Sequence, residues 1–285
     1  MELSPQDVIK ANLVAHLAEL VRDRNPFLAT QGHFYVQQYI KLQLSPWGAV
    51  VPHGFTHQGR HYTNWCIHLP GTAHRQLAPI IVGAHYDTVP GTSGADDNAT
   101  GCAVLLELAR LWSEAPGRRP LTLVAFDLEE YGLVGSRAYA NNLARAKQPV
   151  HLMLSLEMLG YCDPTPGAQQ YPAGLGRIYP TTGDFIALIG NWQCLPQLMR
   201  LKAAVRRAGP DCQWLPMVAA GRPMPAVRRS DHAPFWDAGY NAVLITDTAD
   251  LRNPHYHQAS DTLETLDLDF LAGVCAGLFA GLQRL

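Results

Sequence analysis

Apolar positions along the chain follow two periods, helical and extended, and their order predicts the fold. Leu13, Leu17, Leu20 and Val21 recur at helical spacing behind Ser4-Pro5-Gln6-Asp7. That start combines Ser4 as N-cap, Pro5 at the first helical position and an acid three residues after the cap. Arg24-Asn25-Pro26 breaks the helix, and a second amphipathic stretch covers residues 30–44 before Ser45-Pro46. Residues 50–55 and 62–69, separated by the polar turn 56–60, read as a hairpin. Continuous apolar runs at 80–84, 121–126 and 152–156 suit strands buried on both faces. Between the first two, Val104, Leu105, Leu108, Leu111 and Trp112 form one stripe of a helix over 98–112, and a short helix follows Gly132. Residues 185–189, a helix over 195–208 and a strand over 242–246 continue the alternation. Residues 270–282, with Gly273, Ala276, Gly277 and Gly281, read as a closely packed buried helix. Two stretches lack periodicity: 162–183 is rich in Pro and Gly, and it and 209–230 are expected as loops lining a cleft. The pattern predicts a three-layer α/β/α sandwich with a mixed, mostly parallel central sheet, formed as one domain over 1–285.

Composition supports a large core. Of 285 residues, 47% are hydrophobic and only 16% charged, against about 25% charged in typical domains, so the sheet is expected to be covered on both faces. A net charge of -2 with no basic run excludes nucleic acid as a partner. The apolar run at 270–282 is too short to span a bilayer, so no membrane contact is expected. Met1-Glu2-Leu3-Ser4-Pro5 lacks a basic leader, and Lys10, Asn12, His16 and Glu19 interrupt the apolar positions after it. A cytoplasmic location is therefore expected, with export by a route without a readable signal left open. The six cysteines read as free buried thiols, with Cys194–Cys212 the one pairing left open.

The chemistry lies at strand ends. His85, Glu129-Glu130 and Glu157 each follow a separate apolar strand, and in open α/β sheets ligands bind at the carboxyl ends of strands. Asp96 and Asp97 sit in a Gly- and Ala-flanked turn, and Asn253-Pro254-His255-Tyr256-His257 follows the 242–246 strand. Imidazoles among carboxylates suit hard or borderline metal ions. Two divalent ions need a bridging carboxylate, further ligands on each and a water with a base beside it, and this inventory fits a metal-dependent hydrolase.

Six blocks carry a family resemblance: His85-Tyr86-Asp87, residues 94–101 (GADDNATG), residues 129–136 (EEYGLVGS), Leu156-Glu157-Met158, Ser230-Asp231-His232 and residues 257–262 (HQASDT). Over roughly 78–160 and 230–267 the chain resembles the co-catalytic zinc aminopeptidases, which include bacterial leucyl aminopeptidases and have glutaminyl cyclases and glutamate carboxypeptidases as relatives. The resemblance implies two zinc ions bridged by Asp97, one completed by His85 and Glu157 and the other by Glu130 and His257. It implies Glu129 as the general base that takes a proton from a metal-bridging water and returns it to the leaving amine. Asp87 would orient His85 through the imidazole, and the Asp97–Asn98 peptide would be cis. Glu157 departs from the aspartate that relatives carry. Asp231 and Tyr256 are expected in the substrate cleft, with Ser230 or Asp231 capping a helix.

The implied activity removes the first residue of a peptide substrate with a free amino terminus. The alternative is a glutaminyl cyclase using one zinc ion. Glu129-Glu130-Tyr131-Gly132-Leu133 and Tyr256, where cyclases usually carry Trp, favour the peptidase. A carboxypeptidase or deacylase is suggested by the spacing from His85 to Pro90, but the Asp97-Asn98 and His257 blocks oppose it. A metal-free binding protein on the same scaffold is the reading from another class, and the complete ligand set opposes that. His16, His33, His53 and His74 are expected on the surface or in packing, Asp96 in a turn, and His255 outside the ligand set. Arg222, Arg228 and Arg229 are expected on a solvated loop face.

Overall fold

The computed structural model describes residues 4–74, 76–172 and 174–285. Residues 1–3 at the amino terminus, and Ala173 of the 162–183 loop, lie outside the described residues. Helix α1 (Pro5–Leu20) opens with the expected reciprocal cap: the Ser4 hydroxyl accepts from Asp7 N, and the Asp7 carboxylate accepts from Ser4 N. Helix α2 (Thr30–Leu44) buries Val36, Ile40 and Leu44. The hairpin of β1 (Val50–His57) and β2 (Arg60–Leu69) is longer than its apolar positions suggest. Its turn is only Gln58-Gly59, both at positive φ, and such a two-residue turn twists with the strands it joins.

Among the described residues, eight strands form one mixed sheet in the order β1-β2-β4-β3-β5-β8-β6-β7. Its centre is parallel: β4 (Leu121–Phe126), β3 (Ile80–His85), β5 (Leu152–Glu157) and β8 (Ala242–Thr246) run the same way. Alternate residues of these strands feed two cores, as a strand buried on both faces requires. Ile80, Val82, Leu123 and Leu154 meet one layer of helices. This layer consists of α1, α2, α3 (Gly101–Glu114), α5 (Leu195–Ala208) and α7 (Leu268–Leu282). Ile81, Val124, Phe126 and Met153 meet the thinner layer of α4 (Val134–Arg145) and α6 (His232–Asp237). The expected three-layer architecture is present.

Two local expectations fail for physical reasons. Part of 209–230 is a strand, β7 (Asp211–Met217), paired in parallel with β6 (Phe185–Asn191) alone. Pro216 reads as a strand breaker, but an edge strand tolerates a missing donor. The helix expected from Asn98 begins at Gly101, because the turn Ala95–Thr100 holds Asp97 and Asn98 away from helical angles, with a cis peptide between them. The six cysteines are free as expected, and the one pairing left open, Cys194–Cys212, does not form. Among the described residues no helix is long and apolar enough to cross a membrane.

Candidate metal centre

Because β3, β4, β5 and β8 are parallel, their carboxyl ends share one edge, and the polar residues gather there. His85 and Glu157 are the last residues of β3 and β5. Glu129 and Glu130 lie just past β4, Asp97 in the turn before α3, and His257 in the turn after β8. The fold thereby brings residues far apart in the chain into two clusters. His85, Glu129 and Glu157 form one and Asp97, Glu130 and His257 the other, with ligand atoms of each within 4.8 Å of one another.

Asp97 joins the clusters. Its Oδ1 lies 3.3 Å from His85 Nε2, and its Oδ2 lies 3.2 Å from His257 Nε2. Glu157 Oε1 lies 3.4 Å from His85 Nε2, and Glu130 Oε2 lies 3.2 Å from His257 Nε2. Asp97 Oδ1, Glu130 Oε1 and His257 Nε2 are buried without a hydrogen-bond partner of good geometry. Buried polar atoms left this way are costly unless something else satisfies them. Imidazole nitrogens and carboxylate oxygens are suitable donors for zinc, so the residues present fit a pair of ions.

The electrostatics agree. Burial alone would favour neutral imidazoles, but Glu157 and Glu129 raise His85 well above its ordinary range, and Asp97 and Glu130 bring His257 to about 10. Burial would raise Asp97, yet the His257 and His85 imidazoles beside it hold it below the ordinary carboxylate range. Glu130 is pushed up to about 7 by burial and the Asp97 charge. Burial drives Glu129 well above the carboxylate range; Glu157, Glu130 and Asp231 add to this and His85 opposes it. The cluster carries more negative charge than its side chains neutralise, so protons on the imidazoles stand where cations would.

A hydrogen-bonded shell sets these ligands. Asp87 accepts from the backbone N–H of Glu129 at 3.1 Å and of Glu130 at 3.2 Å. The acceptor nearest His85 Nδ1 is the Asp87 backbone carbonyl at 3.2 Å, with the carboxylate at 3.5 Å. Asp87 therefore orients both the imidazole and the turn that carries the two glutamates. Asp261 accepts from Asp96 N and Asp97 N, and buried Arg24 donates to Ser93 O and Gly94 O, fixing the turn that presents Asp97. The longer Glu157 side chain is held by Ser230, whose hydroxyl donates to Oε2 at 2.7 Å and meets Ser155 Oγ at 3.0 Å.

Ser230 is thus bound to Glu157 and does not cap α6, nor does the Asp231 side chain. Asp231 is fully buried and is not among the residues that line the apolar cleft beside Glu157. Burial pushes it up to about 7. Tyr256 does face the cleft: its ring stacks on His257 at 3.8 Å, and its hydroxyl accepts from Arg229. His255 instead meets Ser260, and His33 is buried against Asp127 at 2.8 Å. Asp96 is buried, accepting from Gly160 N and Asn253 Nδ2. Arg24 and Asp261 carry no local signal that separates them from surface charges, although Asp261 stands inside the 257–262 block.

Beside Glu157 and Tyr256 lies an open cleft of about 1040 Å³, open solvent included. Phe185, Leu244 and Trp214 line it from the strands, and Tyr171 and Tyr179 from the 162–183 stretch. Arg229, at its rim, is paired with Asp250 at 2.9 Å.

The fold and the arrangement of side chains together define an α/β protein with two adjoining clusters of candidate metal ligands. Residues 64–187 match the family described as Peptidase family M28, and proteins similar to the chain include aminopeptidases. It is 39% identical over 215 residues to the uncharacterized protein YfbL of Escherichia coli K12, covering 70% of this chain and 64% of that protein. It is 28% identical over 197 residues to aminopeptidase YwaD of Bacillus subtilis 168, covering 67% of this chain and 38% of YwaD. The chain therefore spans less than two thirds of the length of these curated relatives. A glutaminyl cyclase structure from Macrostomum lignano shares the fold, with a TM-score of 0.73 at 19% identity over 99% of this chain and 92% of its own.

Proposed function

We propose that residues 1–285 form one zinc-peptidase domain that removes amino-terminal residues from peptides with a free amino terminus. The observation that carries this reading is Asp97, whose two oxygens are directed at separate imidazoles, each beside a further carboxylate. His85 with Glu157, and Glu130 with His257, would hold one zinc ion each, and Asp97 would hold both. When bound, such ions polarise a scissile carbonyl and acidify a water. Glu129, buried in the same cluster with its affinity for protons raised, is placed to take a proton from the attacking water and pass it to the leaving amine. The surplus of carboxylates suits a substrate that brings its own ammonium group, and the apolar cleft suits the side chain of its first residue. A glutaminyl cyclase needs one zinc ion, whereas two complete ligand sets favour the peptidase.

Metal analysis with hydrolysis of aminoacyl-arylamides tests the proposal. Two zinc ions per chain, loss of activity on chelation and recovery on zinc addition are expected. Glu129→Gln should keep both ions and lose turnover by about 10²- to 10⁴-fold, the usual range for a general base. Metal-replete protein that leaves these substrates intact and cyclises amino-terminal glutamine would replace the peptidase with the cyclase.

A further inference from the structure

The β1–β2 hairpin stands above the sheet edge on the far side of the centre from the apolar cleft. Trp65 pairs with Ala125, so Asn64 is level with Phe126, the end of β4. Residues 60–63 and their partners 54–57 therefore continue past the strand end. At about 3.3 Å per residue this projection is roughly 13 Å.

An aromatic strip joins the hairpin to the centre. Tyr131, next in the chain to Glu130, meets the edge of Phe27 at 4.7 Å between ring centroids. Phe27 lies 6.1 Å from Tyr62, which stacks on Phe55 at 6.0 Å. Asn25 roots the strip by donating to Tyr131 Oη and to Thr88 O, tying it to the loops that carry Glu130 and Asp87. Phe27, Phe55 and Tyr131 are only half-buried. Arg60, exposed at the hairpin turn, lies over the Phe27 ring, and among the described residues no carboxylate is within ion-pair distance of it.

Sheet order decides what this surface faces. The apolar cleft is lined from β6, β7 and β8, the ligands end β3, β4 and β5, and the strip belongs to the β2–β1 side. A peptide with its first side chain in the cleft and its scissile bond over the ligands must leave towards the hairpin. We infer that the strip binds the leaving segment of the substrate, its rings taking apolar side chains just past the scissile bond and Arg60 pairing with a carboxylate farther along. This rests on the peptidase reading. The projection matches roughly four extended residues, so the preferred substrates are short peptides, apolar after the first residue and then anionic. The anion is either an acidic side chain or the terminal carboxylate.

The test compares kcat/KM for a leucyl arylamide, which has no leaving peptide, with leucyl pentapeptides. The peptides carry Gly or Phe after the scissile bond and are amidated, free at the carboxyl end, or amidated with an internal Asp. Metal-replete wild type should prefer Phe to Gly by about three- to tenfold, equivalent to about 1 kcal/mol of ring packing, and Phe27→Ala should remove that preference. Arg60→Glu, on an exposed turn, should lower the rate on carboxylate-bearing peptides by a similar factor, less so at high salt, and spare the amidated neutral peptides and the arylamide. The carboxylate source that responds to Arg60→Glu is the one recognised.

The inference fails if Phe and Gly peptides are cleaved alike, or if neither variant changes the ratio of peptide to arylamide. It also fails if Arg60→Glu instead abolishes a concentration-dependent self-association while the kinetics stay unchanged. Wild type that cleaves neither the arylamide nor any of the peptides would sink the peptidase reading and this inference with it.

Discussion

Ser230 holds the oxygen of Glu157 that does not face His85, and its hydroxyl is shared with Ser155. Without that bond the extra methylene would leave the carboxylate free to turn, so the serine compensates for a longer ligand. Ser230→Ala should weaken the ion on the His85–Glu157 side by about 10- to 100-fold, the usual effect of losing a group that orients a ligand. Titration against a competing chelator should show one ion released early and the other unchanged; parallel weakening of both would remove the special role of Ser230. His232, two residues on, makes a pH prediction. Its Nε2–H donates to Val227 O at 2.8 Å, and burial lowers its pKa to about 3. The ordinary value is about 6.5, so between these values the unfolded chain binds the extra proton. The stability this group confers is complete above the unfolded value and falls as pH drops towards 3, by at most about 1.4 kcal/mol per pH unit. Urea unfolding at about pH 7 and pH 4.5 should show a smaller acid loss for His232→Gln than for wild type.

Helices α5 and α7 approach through glycine. A Cβ on Gly277 would sit 2.6 Å from the Val205 Cα, a backbone atom that cannot move aside alone. Two effects oppose each other in Gly277→Ala: alanine gains up to about 1 kcal/mol in helix propensity, while forcing a methyl into a filled interface costs about 1–3 kcal/mol. The clash should win, and the urea midpoint should fall; a rise would show that α5 can shift away. The close packing of α7 was readable, though not its partner, since Gly273, Gly277 and Gly281 stand in an apolar run. The buried strands were readable for the same reason, because a strand covered on both faces is continuously apolar and its polar end residue then marks the site edge. Strand β7 was not readable. Its alternating Cys212, Gln213 and Trp214 lie between Pro210 and Pro216 at an edge where only one neighbour constrains the sequence. The full burial of Asp231 was not readable either, because the Ser230-Asp231-His232 triplet reads locally as a helix start, and the bond from Ser230 to Glu157 spans 73 positions.

At the scale of the whole molecule, the centre draws the ends of the central strands and the turns around them onto one set of charges, so metal binding and folding are linked. Without cations the linkage has a definite sign. Glu130 and Asp231 are raised to about 7 in the folded chain, whereas unfolded carboxyls titrate near 4. The folded state therefore keeps protons that the unfolded state releases, and stability falls as pH rises through that interval. His257, raised to about 10 from an ordinary value of about 6.5, adds stability that is complete below the lower value and lost as pH climbs to the higher. Both terms make metal-free protein weaker towards alkaline pH. Bound cations replace those protons and remove the penalty, and deprotonated ligands also bind them more tightly. The rise in Tm produced by zinc over chelated protein should therefore be larger at about pH 8.5 than at about pH 6. Paired thermal melts at the two pH values decide the matter: an equal rise at both would mean that His257 and Glu130 do not exchange protons for metal, and that the charge balance derived for the cluster is wrong.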